Sequence, residues 1–182
     1  LSTIDSAFLL SLSLTAGIYF VASTDADSEI RALGDALYRR SLYTFWKRTA
    51  PPPSMTTFDA PARESYCLRR ERSNTPLQAL VLWNDEQYVE ASRKMAERML
   101  TAGATPAEQL IFGFKLVTAR TPNEAELTLL TQLYETQLAH YTANKEAATK
   151  LLAVGVASRN DQLAVEPHAA MAMMANLLLN LD

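Results

Sequence analysis

The densest polar stretch of the chain is FDAPARESYCLRRERSNTP, from Phe58 to Pro76. It holds the side chains best suited to chemistry. Asp59 and Glu64 could work as a general acid and base, because two carboxylates in different surroundings hold their protons to different pH. Arg69, Arg70 and Arg72, with Arg63 just upstream, could grip an anion, since a planar guanidinium offers a forked pair of donors. They precede Thr75, where a helix opens, and the positive end of that helix adds to the attraction. The plainer reading is structural and is preferred. A long crossing satisfies its own backbone groups with Asp, Arg and Asn side chains, and the arginines then clamp Asp59, Glu64 or the Asp85–Glu86 pair.

A second patch, YRRSLYTFWKR, interleaves Arg39, Arg40, Lys47 and Arg48 with Tyr38, Tyr43, Phe45 and Trp46. Rings alternating with cations can stack on sugars or on single-stranded nucleic acid. Between Arg39 and Arg72 there are eight bases and three acids, whereas the rest of the chain carries nine bases and seventeen acids. A basic segment therefore sits on an acidic body, and pairing within the chain accounts for it as well as an external ligand does. The formal net charge of −3 further argues against a dedicated nucleic-acid binder.

The remaining reactive residues are isolated. Cys67 is the only cysteine, which excludes an intrachain disulfide, a CxxC knuckle and a CxxCH haem attachment. Its neighbouring bases would favour a thiolate, but a lone cysteine between Tyr66 and Leu68 reads as packing. His140 and His168 stand far apart without HxxxH or HExxH spacing, so no metal site is expected. Met171, Met173 and Met174 near His168 read as core filler rather than haem or copper ligands. No GxSxG, Walker or GxGxxG motif is present.

The elements that must position these residues are helical. Alanine and leucine abound and glycines number five, which favours an all-α fold. TPLQ at Thr75, TPAE at Thr105 and TPNE at Thr121 share one plan: a threonine cap, proline at the first helical position, and Gln or Glu reaching back from the third. Each opens an apolar-periodic run. The first is Pro76–Trp83, with Leu77, Leu80 and Val81 on one face. NDEQ (Asn84–Gln87) starts another helix, running to about Leu100 on a stripe of Tyr88, Ala91, Met95 and Met99. Further helices are expected over Pro106–Ala119, from Pro122 to about Tyr141, over NKEAATKLLAV up to Gly155, and from about Glu166 to the end. The last is apolar on nearly every face and belongs inside a protein. The expected architecture is an irregular bundle of about six helices with a long Pro/Arg-rich crossing. APPPS reads as extended polyproline; SLYTFWK (Ser41–Lys47) fits a helix or a strand equally well, and with SYCLR it could supply one short strand pair.

A chain of 182 residues, 48% hydrophobic and 20% charged, is long enough to bury one core and shows no internal boundary. FLLSLSLTAGIYFVAS (Phe8–Ser23) is apolar but lacks a basic leader and is shorter than a bilayer requires, so it reads first as an apolar helix, with the remnant of a targeting segment as the alternative.

From Gly34 to Ser92 the sequence GDALYRRSLYTFWKRTAPPPSMTTFDAPARESYCLRRERSNTPLQALVLWNDEQYVEAS resembles the signature of domain of unknown function 1553, a planctomycete family associated with cytochrome-like modules. The resemblance continues through FGFKLVTARTPNEAEL, LLAVG and LLLNLD. It implies a single domain over residues 34–182, the C-terminal part of the family's helical unit, with residues 1–33 unmatched. It also implies a secreted or periplasmic multidomain protein in which c-type haem belongs to neighbouring domains and none to this chain. The family has no established activity, so no catalytic residue carries over. The leading expectation is a non-catalytic module binding other domains of its own polypeptide through the basic patch (Arg39, Arg40, Trp46, Arg63, Arg69, Arg70 and Arg72). The alternatives are a hydrolase or lyase of an anionic extracellular polysaccharide and a redox accessory docking a cytochrome.

Overall fold

The computed structural model describes residues 53–61, 66–69 and 72–181. Among them every regular element is a helix. In chain order these are α1 (Pro53–Thr57), α2 (Pro76–Asn84), α3 (Glu86–Ala102), α4 (Pro106–Thr118), α5 (Glu124–Ala143), α6 (Lys145–Leu152) and α7 (Val165–Leu179). The fold is all-α. The chain gathers into two compact units, Leu1–Leu80 and Val81–Asp182.

Two local expectations change. The stretch read as extended polyproline ends in a helical turn, α1, because proline fits the first turn of a helix, where its missing amide costs nothing. SYCLR contributes no strand among the described residues, since Leu68 and Arg69 form a bend.

In the second unit α7 is the central element, packed against α3, α4, α5 and α6. Its Ala169, Ala170, Met171, Ala175 and Leu178 are fully buried. Small and flexible residues suit this position, because four neighbouring helices must approach one axis. Opposite them lie Met95, Ala96 and Met99 of α3, Leu110 and Phe114 of α4, and Leu130 and Tyr134 of α5. The approach of α4 is set by Gly113. A Cβ there would lie 2.7 Å from Met99 Sδ and 3.1 Å from Leu178 Cδ1, so the Met99 side chain would have to shift to admit it.

The caps decide where helices begin. Thr105 Oγ1 accepts from Glu108 N, and the Glu108 carboxylate accepts from Thr105 N, closing a capping box. The amides of Thr105 and Ala104, both donating to it, hold the Glu108 carboxyl below its usual range. Thr75 makes the same exchange with Gln78 (3.3 and 3.0 Å). TPNE works differently: Thr121 does not cap α5. Asn123 does, and its box partner is Glu126, two residues beyond the expected frame. Asparagine is the stronger cap, and this frame lets Glu126 also take both terminal nitrogens of Arg120 at 2.7 and 2.8 Å. Arg120 in turn lies over the Phe114 ring, 4.7 Å from its centroid. Asn144 ends α5 and caps α6 through Ala147 N.

Candidate functional site

Two polar clusters organise the described residues, one in each unit. In the first unit, Asp59 follows α1 in the left-handed region (φ 58°), a conformation its short polar side chain tolerates. Its carboxylate accepts from Ser73 N at 2.7 Å and from Ser73 Oγ at 2.8 Å. Gln78 Nε2 donates to Thr57 O at 2.8 Å and to Ser73 Oγ at 3.0 Å, while its Oε1 receives Thr75 N. Gln78 is the buried residue of α2. The knot closes the crossing between α1 and α2, and in it Asp59 acts as a hydrogen-bond acceptor.

Of the arginines expected to clamp that carboxylate, two lie among the described residues. Arg69 and Arg72 are exposed and form no ion pair among the described residues. Arg39, Arg40, Trp46, Arg63 and Arg70 lie outside the described residues, as does Glu64. Cys67, read from its neighbours as packing, is instead exposed, with Sγ 3.2 Å from Arg69 O. Tyr66 and Leu68 beside it are 88% and 93% exposed.

The apolar run of α2 also faces the other way from its expected role. Leu77 and Leu80 are 56% and 59% exposed, and Trp83 one turn on is 39% exposed. The inward position belongs to Gln78, because the knot needs both ends of its amide.

The second cluster lies on α3, and sequence reasoning missed it. Glu90, Arg93, Lys94 and Glu97 recur at spacings of three and four, so they share one helical face. On an exposed helix this would be a row of i,i+4 ion pairs. Here it is covered by a strap, residues 155–160, between α6 and α7. The Glu90 carboxylate accepts from the amides of Val156 and Ala157. Arg93 Nη2 donates to Ala157 O at 2.6 Å, and Lys94 Nζ donates to Ser158 O at 2.6 Å. Glu97 accepts from Asn160 N at 3.2 Å and pairs with Lys94 at 3.0 Å. Gly155 starts the strap at φ 98°, where a Cβ would fall 2.7 Å from Glu90 Cβ; both facts require glycine.

Beneath the strap lies His168, in the first turns of α7 and fully buried. Its Nε2 is 3.3 Å from Arg93 O and 3.9 Å from Glu97 Oε1. Burial pushes the imidazole below its usual pKa, with Arg93 and Arg159 adding to the effect and the Arg93 carbonyl and Glu97 opposing it. Its Nδ1, like Nε and Nη1 of Arg93, has no hydrogen-bond partner among the described residues. A buried, neutral imidazole closed off by a strap cannot meet a substrate, so this cluster is a structural lock.

Among the described residues no group of three His, Cys, Asp or Glu side chains is placed to hold a metal ion. His140 is exposed, edge-on to Tyr141. No described helix is long and apolar enough to cross a membrane. A family described as "Protein of unknown function (DUF1553)" matches residues 3–134, well over half of the chain. That match includes most of the N-terminal segment, and the resemblance read from the sequence began only at Gly34. No curated protein and no solved structure matches the chain.

Proposed function

We propose, from the premise that the chain belongs to the DUF1553 family of proteins of unknown function, that it is a non-catalytic interaction module. In this reading it binds other domains of a larger secreted or periplasmic, cytochrome-linked polypeptide. The observation that carries the reading is the sidedness of α2. Leu77, Leu80 and Trp83 face solvent, while the polar Gln78 is turned inward and engaged. Exposed large apolar side chains grouped on one helix are what a partner surface covers. The polysaccharide-acting alternative draws no such support, because the Asp59 carboxylate is held by Ser73 in a structural knot. Any c-type haem would belong to a neighbouring domain, since a chain with one cysteine has no CxxCH to attach it.

The test is co-purification of this chain with the upstream modules of its full-length protein, for the native sequence and for a Leu77→Ser, Leu80→Ser, Trp83→Ser variant. Association should survive raised salt and be lost in the variant at unchanged melting temperature. Binding that weakens steeply with salt yet tolerates the variant would point to the basic patch and to an acidic cytochrome surface or anionic polysaccharide. Failure to associate with any module would remove the proposal.

A further inference from the structure

Charged side chains of α3 hydrogen-bond the backbone of the strap. Its anchors are Glu90, Arg93, Lys94 and Glu97 on α3, and its own Arg159 pairs at 3.3 Å with Asp161, the residue that follows the strap. Three cations and three anions balance as long as His168 is neutral. The titratable groups around His168 are Arg93 and Glu97 from α3 and Arg159 from the strap. From its own helix comes Glu166, which is engaged by Lys145 of α6 at 2.8 Å.

A proton added to His168 upsets this arrangement in three ways. It places an unbalanced positive charge at a fully buried position beside two guanidiniums. It meets one nearby carboxylate, Glu97, which Lys94, Arg93 and the Asn160 amide already share. And with Nε2 donating to the Arg93 carbonyl, the proton must go to Nδ1, which has no acceptor among the described residues. A buried unpaired charge is relieved by letting water in. The element that can move is the strap, since α7 is wedged among four helices. Opening it removes Arg159 and lets water reach the first turn of α7.

We propose that residues 155–160 form an acid-released strap, with His168 as the proton acceptor that opens it and uncovers the charged face of α3. The direction follows from linkage. A histidine whose folded pKa lies below its free value is neutral in both states at high pH, so the closed form is then fully stable. As pH falls below about 6.5, the open form takes up a proton that the closed form refuses, and closure weakens about tenfold per pH unit until the closed-state pKa is reached.

The strap carries its own reporters. The amides of Val156, Ala157 and Asn160 are bonded to α3 carboxylates, and those of Met95 and Met171 belong to core helices. Protection factors from hydrogen exchange of the whole 182-residue chain should fall for the first three between pH 7 and pH 5.5, by up to about tenfold, while the core amides keep theirs. In His168→Gln, whose side-chain amide donates as the neutral imidazole does, strap protection should stay flat over the same range. If that variant does not fold, NMR titration of His168 in the native chain decides alone. A midpoint below the ordinary histidine value, with strap shifts following the same curve, supports the proposal. Strap protection that does not change with pH, an equal loss in His168→Gln, a parallel loss in the core, or a His168 titrating at or above its ordinary value overturns it.

Discussion

Arg93 makes the sharpest test of how the second unit is held together. The residue is 1% exposed, yet among the described residues only Nη2 of its guanidinium makes a hydrogen bond, to Ala157 O at 2.6 Å. Nη1 stands 3.6 Å from Glu97 Oε1, and neither Nη1 nor Nε has a hydrogen-bond partner among the described residues. Removing one member of a buried ion pair ordinarily costs about 3–5 kcal/mol, because the other charge is stranded. Glu97 would not be stranded here, since it keeps Lys94 at 3.0 Å and the Asn160 amide at 3.2 Å. The loss in Arg93→Met reduces to one charged hydrogen bond, about 1.5–3 kcal/mol, partly offset by relief of the unsatisfied donors, each a cost of about 1 kcal/mol or more. Methionine fills most of the same volume. The expected net change therefore lies within about 1 kcal/mol of zero, or within about 2–4 °C in melting temperature for a chain of this size. Arg93→Ala adds an unfilled cavity and should cost about 2–5 kcal/mol. Urea denaturation followed by circular dichroism separates the two variants. If methionine proves as damaging as alanine, the guanidinium charge itself holds the strap and the reasoning fails. A gain above about 1 kcal/mol would refute it from the other side, by showing that the bond to Ala157 contributes nothing.

Other consequences follow from single contacts. Gln78→Glu keeps the acceptor for Thr75 N but replaces the donor to Thr57 O and Ser73 Oγ with a carboxylate near Asp59; it should destabilise the first unit by about 1–3 kcal/mol, read from its urea midpoint, although glutamate is a good capping-box residue. Ala119 ends α4 at φ 58°, so Ala119→Gly should raise stability by about 1 kcal/mol, seen as a higher melting temperature; a decrease would mean that its methyl group packs usefully. Glu126 is held down at about 2, first by Arg120 and then by the Asn123 amide. A lowered carboxyl pKa contributes stability above the unfolded value of about 4.5, and that contribution is lost as pH falls toward 2. Glu126→Gln should therefore flatten the acid limb of a stability–pH curve between pH 4.5 and 2 while leaving its slope near neutrality unchanged.

The helical class and most helix starts were legible because their signals are local. Thr75 with Gln78, Thr105 with Glu108 and Asp85 with Gln87 each act within three residues, and the Tyr88–Met99 stripe declares its buried face by period alone. Where two caps competed, at Thr121 and Asn123, the frame was settled by Arg120 gripping Glu126 above Phe114, a contact that capping propensity does not contain. The same limit hid the sidedness of α2. Its leucines have the period of a buried face, but the inward place went to Gln78, whose amide reaches Thr57, twenty-one residues back. On α3 the charges at Glu90, Arg93 and Glu97 have the pattern of a solvated face, yet Glu90 and Arg93 are buried and Glu97 partly so, because a strap sixty-three to sixty-seven residues away folds over them. His168 is joined to Arg93 across seventy-five residues. Local sequence thus fixes where each helix begins and that it is a helix. Which face goes inward depends on partners that only the folded chain brings within hydrogen-bonding distance, because a buried polar group is tolerated only where such a partner meets it.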